Sequence, residues 1–194
     1  MGKTALDNLY AEIRACRLCA PHLPLGPRPV VRGTASARLL IISQAPGTKV
    51  HETGLSFNDR SGDRLRQWLG IDRTVFYDEA RVAIVGMGFC YPGRRKGGDL
   101  PPRPECAPLW HARVLALLPK IELTLLIGSY AIEYYLAGAK RRSMAETVAA
   151  WRDFLPRSLP LPHPSWRTMM FEQRNPWFEA ELLPELRRRV KALI

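Results

Sequence analysis

Three short apolar runs, bounded by turn residues and separated by helix-patterned stretches, constrain this chain more than any other feature. They are Leu39-Leu40-Ile41-Ile42, Val82-Ala83-Ile84-Val85 and Leu123-Thr124-Leu125-Leu126-Ile127. None alternates as a strand with one wet face would, so each reads as a parallel strand covered on both sides. Ser158-Leu159-Pro160-Leu161 is a fourth candidate, whose proline favours an edge or a strand end. Apolar residues recur at helical spacing from Ser61 to Leu69, Ala107 to Leu118, Tyr130 to Leu136 and Met144 to Phe154. Leu6, Leu9, Ile13 and Cys16 mark one face of an N-terminal helix. Asn175-Pro176 opens a last helix with Phe178, Leu182, Leu186 and Val190 on its buried face, and Pro184 is expected to bend it. The Pro-rich stretch from Pro21 to Pro29 suits no regular element. This alternation predicts an α/β fold, a three-layer α/β/α sandwich around a central four-stranded, mostly parallel sheet. A length of 194 residues suits a single domain over 1–194.

The four cysteines are the next constraint. Cys16 and Cys19 form a C-x2-C pair, and Cys90 and Cys106 are separated by the segment Tyr91 to Glu105. Two thiolates on one turn and two distant ones can close an all-thiolate site for zinc or an iron–sulfur cluster. A structural zinc ribbon usually carries a second tight pair, so the wide spacing favours a [4Fe-4S] cluster, with zinc as the alternative. Met1-Gly2-Lys3-Thr4 leads straight into the helical pattern, and no secretory apolar region precedes Cys16. Reduced cysteines and a cytoplasmic location are the expectation.

Charge narrows the choice of partner. Lys and Arg number 29 against 18 Asp and Glu, a formal net charge of +11. The isoelectric point is near 10.0. Such a balance points to a polyanion, with nucleic acid foremost. No apolar run reaches the ~18–20 residues that span a bilayer. Arg94-Arg95-Lys96 and Lys140-Arg141-Arg142 are candidate phosphate contacts.

In open α/β sheets, chemistry gathers beyond the carboxyl ends of the strands. Here those places hold Ser43-Gln44-Ala45-Pro46-Gly47, Met87-Gly88-Phe89-Cys90 and Pro162-His163-Pro164-Ser165. In this order the three segments resemble the uracil-DNA glycosylase superfamily, most of all its iron–sulfur, family-4-type branch. That branch has a Gly-Glu-Ala-Pro-Gly loop followed by Gly-x-Pro-Phe. This chain has Gln44-Ala45-Pro46-Gly47, then Gly54-Leu55-Ser56-Phe57 and Ser61-Gly62. Cys90-Tyr91-Pro92 with Cys106 resembles the second motif, and His163-Pro164-Ser165 the last. The resemblance spans Cys16 to about Ser165. It implies a DNA-repair fold, a cluster on Cys16, Cys19, Cys90 and Cys106, and hydrolysis of the bond between a deaminated base and its sugar.

The chain departs from the pattern in places. Gln44 stands where the branch has glutamate, Ala45 where family-1 enzymes have their catalytic aspartate, and Gly86 where an asparagine reads the base edge. The histidine-bearing insertion of covalently DNA-trapping relatives is absent from the segment Arg94 to Gly98. The fold and DNA binding therefore transfer more directly than uracil specificity does.

Glycosidic cleavage builds positive charge on the sugar and negative charge on the base, so it calls for a donor to the base, a placed water and an aromatic face. His163 is the expected donor and Gln44 the expected water-positioning group, because an amide orients water without acting as a base. Glu52 and Asp59 are candidate carboxylates to assist water or balance the sugar cation, and His51 beside Glu52 is a further candidate. Phe57 matches the family's stacking phenylalanine, Ala45 lies in the base pocket, and Asn58 is a source of amide contacts to the base. Arg94, Arg95, Lys96, Ser165, Trp166 and Arg167 are the expected DNA contacts, with Trp166, Met169 and Met170 able to wedge into the base stack. The leading expectation is a DNA glycosylase acting as a monomer. The alternative is a catalytically weak damaged- or abasic-DNA binding protein of the same fold. The chain has neither a Gly-rich dinucleotide loop nor a Walker-type lysine loop, which argues against a small phosphorylated metabolite as substrate.

Overall fold

The structure is a computed structural model that describes Gly2 and residues 4–194. Met1 and Lys3, at the start read above as leading into the first helix, lie outside the described residues. Helix α1 spans Ala5–Ala15 and opens with a capping box. The Thr4 hydroxyl accepts from the Asp7 N–H at 3.1 Å, and the Asp7 carboxylate accepts from the Thr4 N–H at 2.9 Å. Two orphan donors of the first turn are thereby satisfied. Cys16 caps the end of α1, as its place at the close of the apolar face predicts.

Strand β1 (Val31–Arg32) is followed by β2 (Leu39–Ser43), then helices α2 (Thr48–Thr53), α3 (Arg60–Leu69) and α4 (Arg73–Phe76). Next come β3 (Val82–Gly86), a small hairpin of β4 (Arg94–Arg95) and β5 (Gly98–Asp99), and helix α5 (Cys106–Ala116). The chain continues through β6 (Leu123–Ile127), α6 (Ser129–Tyr135), α7 (Met144–Ala149), β7 (Ser158–Leu161), α8 (Thr168–Arg174) and α9 (Leu183–Leu193).

The main sheet has the order β1-β3-β2-β6-β7. All pairs but one are parallel, and β1 lies antiparallel on the β3 edge. The expectation of four strands is thus corrected to five, because the two-residue β1 is too short to leave a periodic signal. The three central runs are almost wholly buried. That explains their continuous apolar character, since burying each Leu or Ile side chain contributes about 1.5–3 kcal/mol. Pro160 sits on the edge strand β7 opposite Leu126, where its missing N–H breaks no ladder further out.

The β2-to-β3 connection runs one way along the sheet and the β3-to-β6 connection runs back. Right-handed crossovers then put α3 and α5 on opposite faces. α9 packs against α3, and α1 against α5. The sandwich is three-layered, with Trp68 of α3 edge-on to Phe178 at a centroid separation of 5.1 Å.

The last helical segment differs from the expected bent helix. Phe178–Leu182 forms a π-helical turn that passes into α9, with Pro184 in the first turn of α9. The wider turn accommodates the residue whose N–H is missing. The Asn175 amide donates to the Phe171 carbonyl at 2.7 Å, closing α8 rather than capping α9. The stretch predicted as one helix from Met144 to Phe154 is split into α7 and a 3₁₀ turn at Trp151–Phe154. Among the described residues no helix is long and apolar enough to cross a membrane.

Candidate active site

The parallel strands start nearly flush, Leu39 pairing with both Val82 and Leu123, and Thr124 with Ser158. Their carboxyl ends therefore share one edge, the edge at which α/β sheets place their ligands. A cleft of about 890 Å³ opens there, lined by the loop after β2, by Phe57 and Asp59, by the β4–β5 hairpin, and by His163 with Ser165, Trp166 and Arg167. Gln44, Ala45, Phe57, His163, Arg94, Arg95, Lys96, Ser165, Trp166 and Arg167 are all brought to it.

The loop after β2 is stitched to the loop after β3. The Met87 N–H donates to the Ser43 carbonyl at 2.7 Å and the Gly88 N–H to the Gln44 carbonyl at 3.0 Å. The Gln44 amide N–H points at the Leu100 carbonyl, a long contact of 3.5 Å, so this side chain braces the exit of the hairpin. Gly86 leaves no room for a side chain, because a Cβ there would lie 2.6 Å from the Gly88 carbonyl oxygen. A side chain at this position would require the loop after β3 to shift. The Gly86 carbonyl lies 2.9 Å from His111 Nε2, whose Nδ1 is 2.6 Å from the Tyr135 hydroxyl. A carbonyl only accepts, so Nε2 carries the proton and Nδ1 accepts from the tyrosine.

Phe57 has φ +56°, a left-handed conformation that costs a non-glycine residue about 1–2 kcal/mol. Its surroundings hold it there. The Phe57 carbonyl occupies the space above Gly62, where an added Cβ would meet it at 1.7 Å, and Arg66 Nη1 donates to it at 3.3 Å. The ring stands edge-on to Phe76 at 6.0 Å. Phe57 thus belongs to the core and to the cleft wall at once.

His163 follows β7. Its carbonyl accepts from the Ser165 N–H at 2.7 Å and from the Thr168 hydroxyl. Gly128, at φ +82°, passes close behind it, with 3.5 Å between an added Cβ and the His163 Cβ. The ring nitrogens have no hydrogen-bond partner among the described residues. Burial lowers the pKa of His163, and Asp59 and Asp99 pull it upward by less. Near neutral pH the imidazole is therefore uncharged and carries one N–H. Asp59 spends Oδ1 on capping α3, accepting from the Gly62 N–H at 2.9 Å.

The two outer walls of the cleft are joined. Arg167 Nη2 donates to the Gly97 carbonyl of the hairpin, and the Arg167 guanidinium lies 5.5 Å from the Trp166 ring centre. Trp166 is 75% exposed, and Met169 and Met170 are each more than half exposed.

Other sequence candidates lie elsewhere. Glu52 is exposed on α2 and does not line the cleft; its backbone carbonyl accepts from Arg28 at 2.8 Å. The Asn58 amide oxygen is taken by Arg73 at 2.8 Å, which turns it from the base pocket. His51 packs near Tyr91 outside the cleft lining. Arg141 pairs with Asp153 and Lys140 with Glu133, so two of the three side chains of the second basic cluster are engaged in ion pairs. Lys49 and Asp99 line the cleft and were missed by the sequence reading. Gly97-Gly98 beside a basic run was the available signal for a hairpin that turns the following aspartate inward.

Cys16, Cys19, Cys90 and Cys106 are free thiols and line one small apolar pocket with Ile13, Leu23 and Trp110. Burial pushes Cys90 up to about 11 and Cys106 up to about 12, and the neighbouring cysteines add to both shifts. The Phe89 N–H points at Cys106 Sγ at 3.4 Å, a contact that favours sulfur carrying negative charge. Among the described residues no three His, Cys, Asp or Glu side chains are grouped so as to hold a metal ion.

The family model for the uracil DNA glycosylase superfamily matches residues 30–187. Among solved structures, the chain is similar to the solution NMR structure of a "putative Uracil DNA glycosylase" from Methanosarcina acetivorans. The two are 13% identical, with 83% of this chain and 98% of that chain covered and a TM-score of 0.48.

Proposed function

This chain belongs to the uracil DNA glycosylase superfamily, and on that premise we propose that it acts as a single-domain monomer, flipping uracil or another deaminated base out of DNA and hydrolysing its glycosidic bond. One observation carries the reading: Gln44, Phe57 and His163, distant in sequence, line a single cleft with basic side chains at its rim. Phe57 supplies the aromatic face for the base. The His163 N–H, free of protein partners, meets the base oxygen on which negative charge collects. Gln44 keeps its amide oxygen for a water or a base N–H while its amide nitrogen braces the hairpin. Trp166, with Met169 and Met170, fills the gap left in the base stack.

Phosphates are held by Arg94, Arg95 and Lys96, with Lys49 and Arg167 nearby. Reversing the three hairpin charges to glutamate should weaken binding to all sequences alike. The dependence of log affinity on log salt should become shallower by about 0.9 for each phosphate that is no longer neutralised. Titrations of a labelled oligonucleotide at several salt concentrations test this. Unchanged affinity and slope would make the hairpin a solvated surface and nothing more.

We also assign the cysteine pocket to a [4Fe-4S] cluster of the iron–sulfur branch. Four thiols facing one apolar pocket are the donor set that a cubane takes. The wide spacing of Cys90 and Cys106, where a structural zinc ribbon would carry a second tight pair, favours the cluster, with zinc as the alternative. Hydrolysis needs no electron, so the group supplies structural cross-linking of α1 to the loop after β3.

The test of function is excision. Purified protein is incubated with single- and double-stranded oligonucleotides carrying uracil, hypoxanthine or xanthine, and abasic sites are then cleaved with alkali. Cleavage at one of these bases is expected. Tight binding without cleavage at any of them would favour the damage-binding reading, which the replacement of the motif-one carboxylate by Gln44 supports.

A further inference from the structure

We propose that Asp99, carried into the cleft by the β4–β5 hairpin, is the catalytic carboxylate that activates water, replacing the acid that positions 44 and 45 lack. The inference rests on the glycosylase reading above and adds a residue to it.

Asp99 Oδ2 lies 3.3 Å from the position a Cβ would take on Gly47, so the carboxylate rests directly on the loop Gln44 to Gly47. It lines the same cleft as Phe57 and His163. The hairpin fixes it there through a register that sets Arg94 opposite Asp99, and the Leu100 N–H closes back onto the Gly93 carbonyl at 2.8 Å.

Gln44 cannot take a proton, and its amide nitrogen faces Leu100. Asp59 lines the same cleft but is held at the N-terminus of α3, where one oxygen caps the helix, so Asp99 is the carboxylate there with neither oxygen engaged among the described residues. Glu52 is outside the cleft lining. The Asp99 carboxylate accepts no side-chain or backbone hydrogen bond among the described residues, so neither oxygen is engaged by the protein.

A carboxylate inside a basic-rimmed cleft opposes the phosphates that the rim attracts, so binding alone gives it no reason to be there. Asp99 keeps an exposed surface, but partial desolvation of its carboxylate in the cleft raises its pKa above the ordinary aspartate value despite the opposing pull of Arg94, which makes it a better base. Asp99 and His163 also feel each other's charge. Base and donor therefore share one cleft.

The step balances without a further reactant. The water oxygen bonds to C1′ of the sugar as the C1′–N bond breaks, and the bonding pair leaves with the base. The base oxygen is held by His163. The water proton passes to Asp99 and is returned, through solvent, to the departing base.

Asp99→Asn, measured under single-turnover conditions on the best base substrate, should slow excision on the order of 10²-fold. Affinity for the same oligonucleotide should be equal or tighter, because a negative charge has been removed. The wild-type rate should fall as the pH drops through the raised carboxylate pKa, and that acid limb should vanish in the variant. Asp99→Glu should recover part of the rate. An Asp99→Asn enzyme at full rate, or one that binds more weakly while keeping the acid limb, would overturn the assignment and leave Asp99 a hairpin brace. A wild-type protein that excises no base would instead overturn the glycosylase reading itself, and the role of Asp99 with it.

Discussion

Replacing His163 by alanine is expected to slow base excision on the order of 10²–10³-fold, the usual effect of removing one donor aimed at charge that develops in the transition state. DNA affinity should change little, since phosphate contacts supply most of it. The expectation follows from the ring's surroundings. Its nitrogens meet no protein partner among the described residues, and burial keeps it neutral with one N–H available. The backbone around it is fixed independently, through the Ser165 and Thr168 bonds to its carbonyl. Alanine therefore removes the donor without releasing the loop. His163→Gln keeps an N–H near the same place and should recover part of the rate. Single-turnover rates with enzyme in excess measure both variants. Full activity in His163→Ala would mean that the departing base is stabilised by some other group.

Loss of any one of the four cysteines is expected to have an equally large effect, on iron content and stability. Protein purified without oxygen should be brown and hold about four irons per chain. Cys90→Ser or Cys106→Ser should lose most of that iron and unfold at a clearly lower temperature, since a structural metal site can contribute on the order of 10 kcal/mol to folding. The physical reason lies in the pocket. Burial and the neighbouring cysteines oppose ionisation of Cys90 and Cys106, so a positively charged centre is what would hold these two sulfurs as thiolates. Iron and sulfide assays with thermal melts test this. Colourless protein with one tightly bound zinc would assign the pocket to zinc, and two disulfides would exclude both.

The strands were the most legible part of the chain, for a reason particular to parallel sheets. β2, β3 and β6 are covered on both faces, so the pattern is a plain apolar run that survives in any register. The two-residue strands leave no such pattern, and β1, β4 and β5 went unread. Helix α8 was also missed, because its exposed Met169 and Met170 break the amphipathic periodicity. In the site, Gln44, Phe57 and His163 were placed by motif and do converge, since each lies in or near a loop on the carboxyl edge. Glu52 and Asn58 were placed by proximity along the chain, which does not fix direction. α2 presents Glu52 to solvent, and Arg73 holds Asn58. Asp99 was hidden by the basic run before it, where charge counting obscures the turn that sets Asp99 opposite Arg94.

The most direct measurement is the mass of both products after one turnover on an oligonucleotide carrying a single uracil, hypoxanthine or xanthine. The expected result is free base together with an unbroken strand bearing one abasic site, with no protein–DNA adduct. An intact substrate strand recovered from a tight complex, for every base and for both single- and double-stranded DNA, would contradict hydrolysis in this cleft.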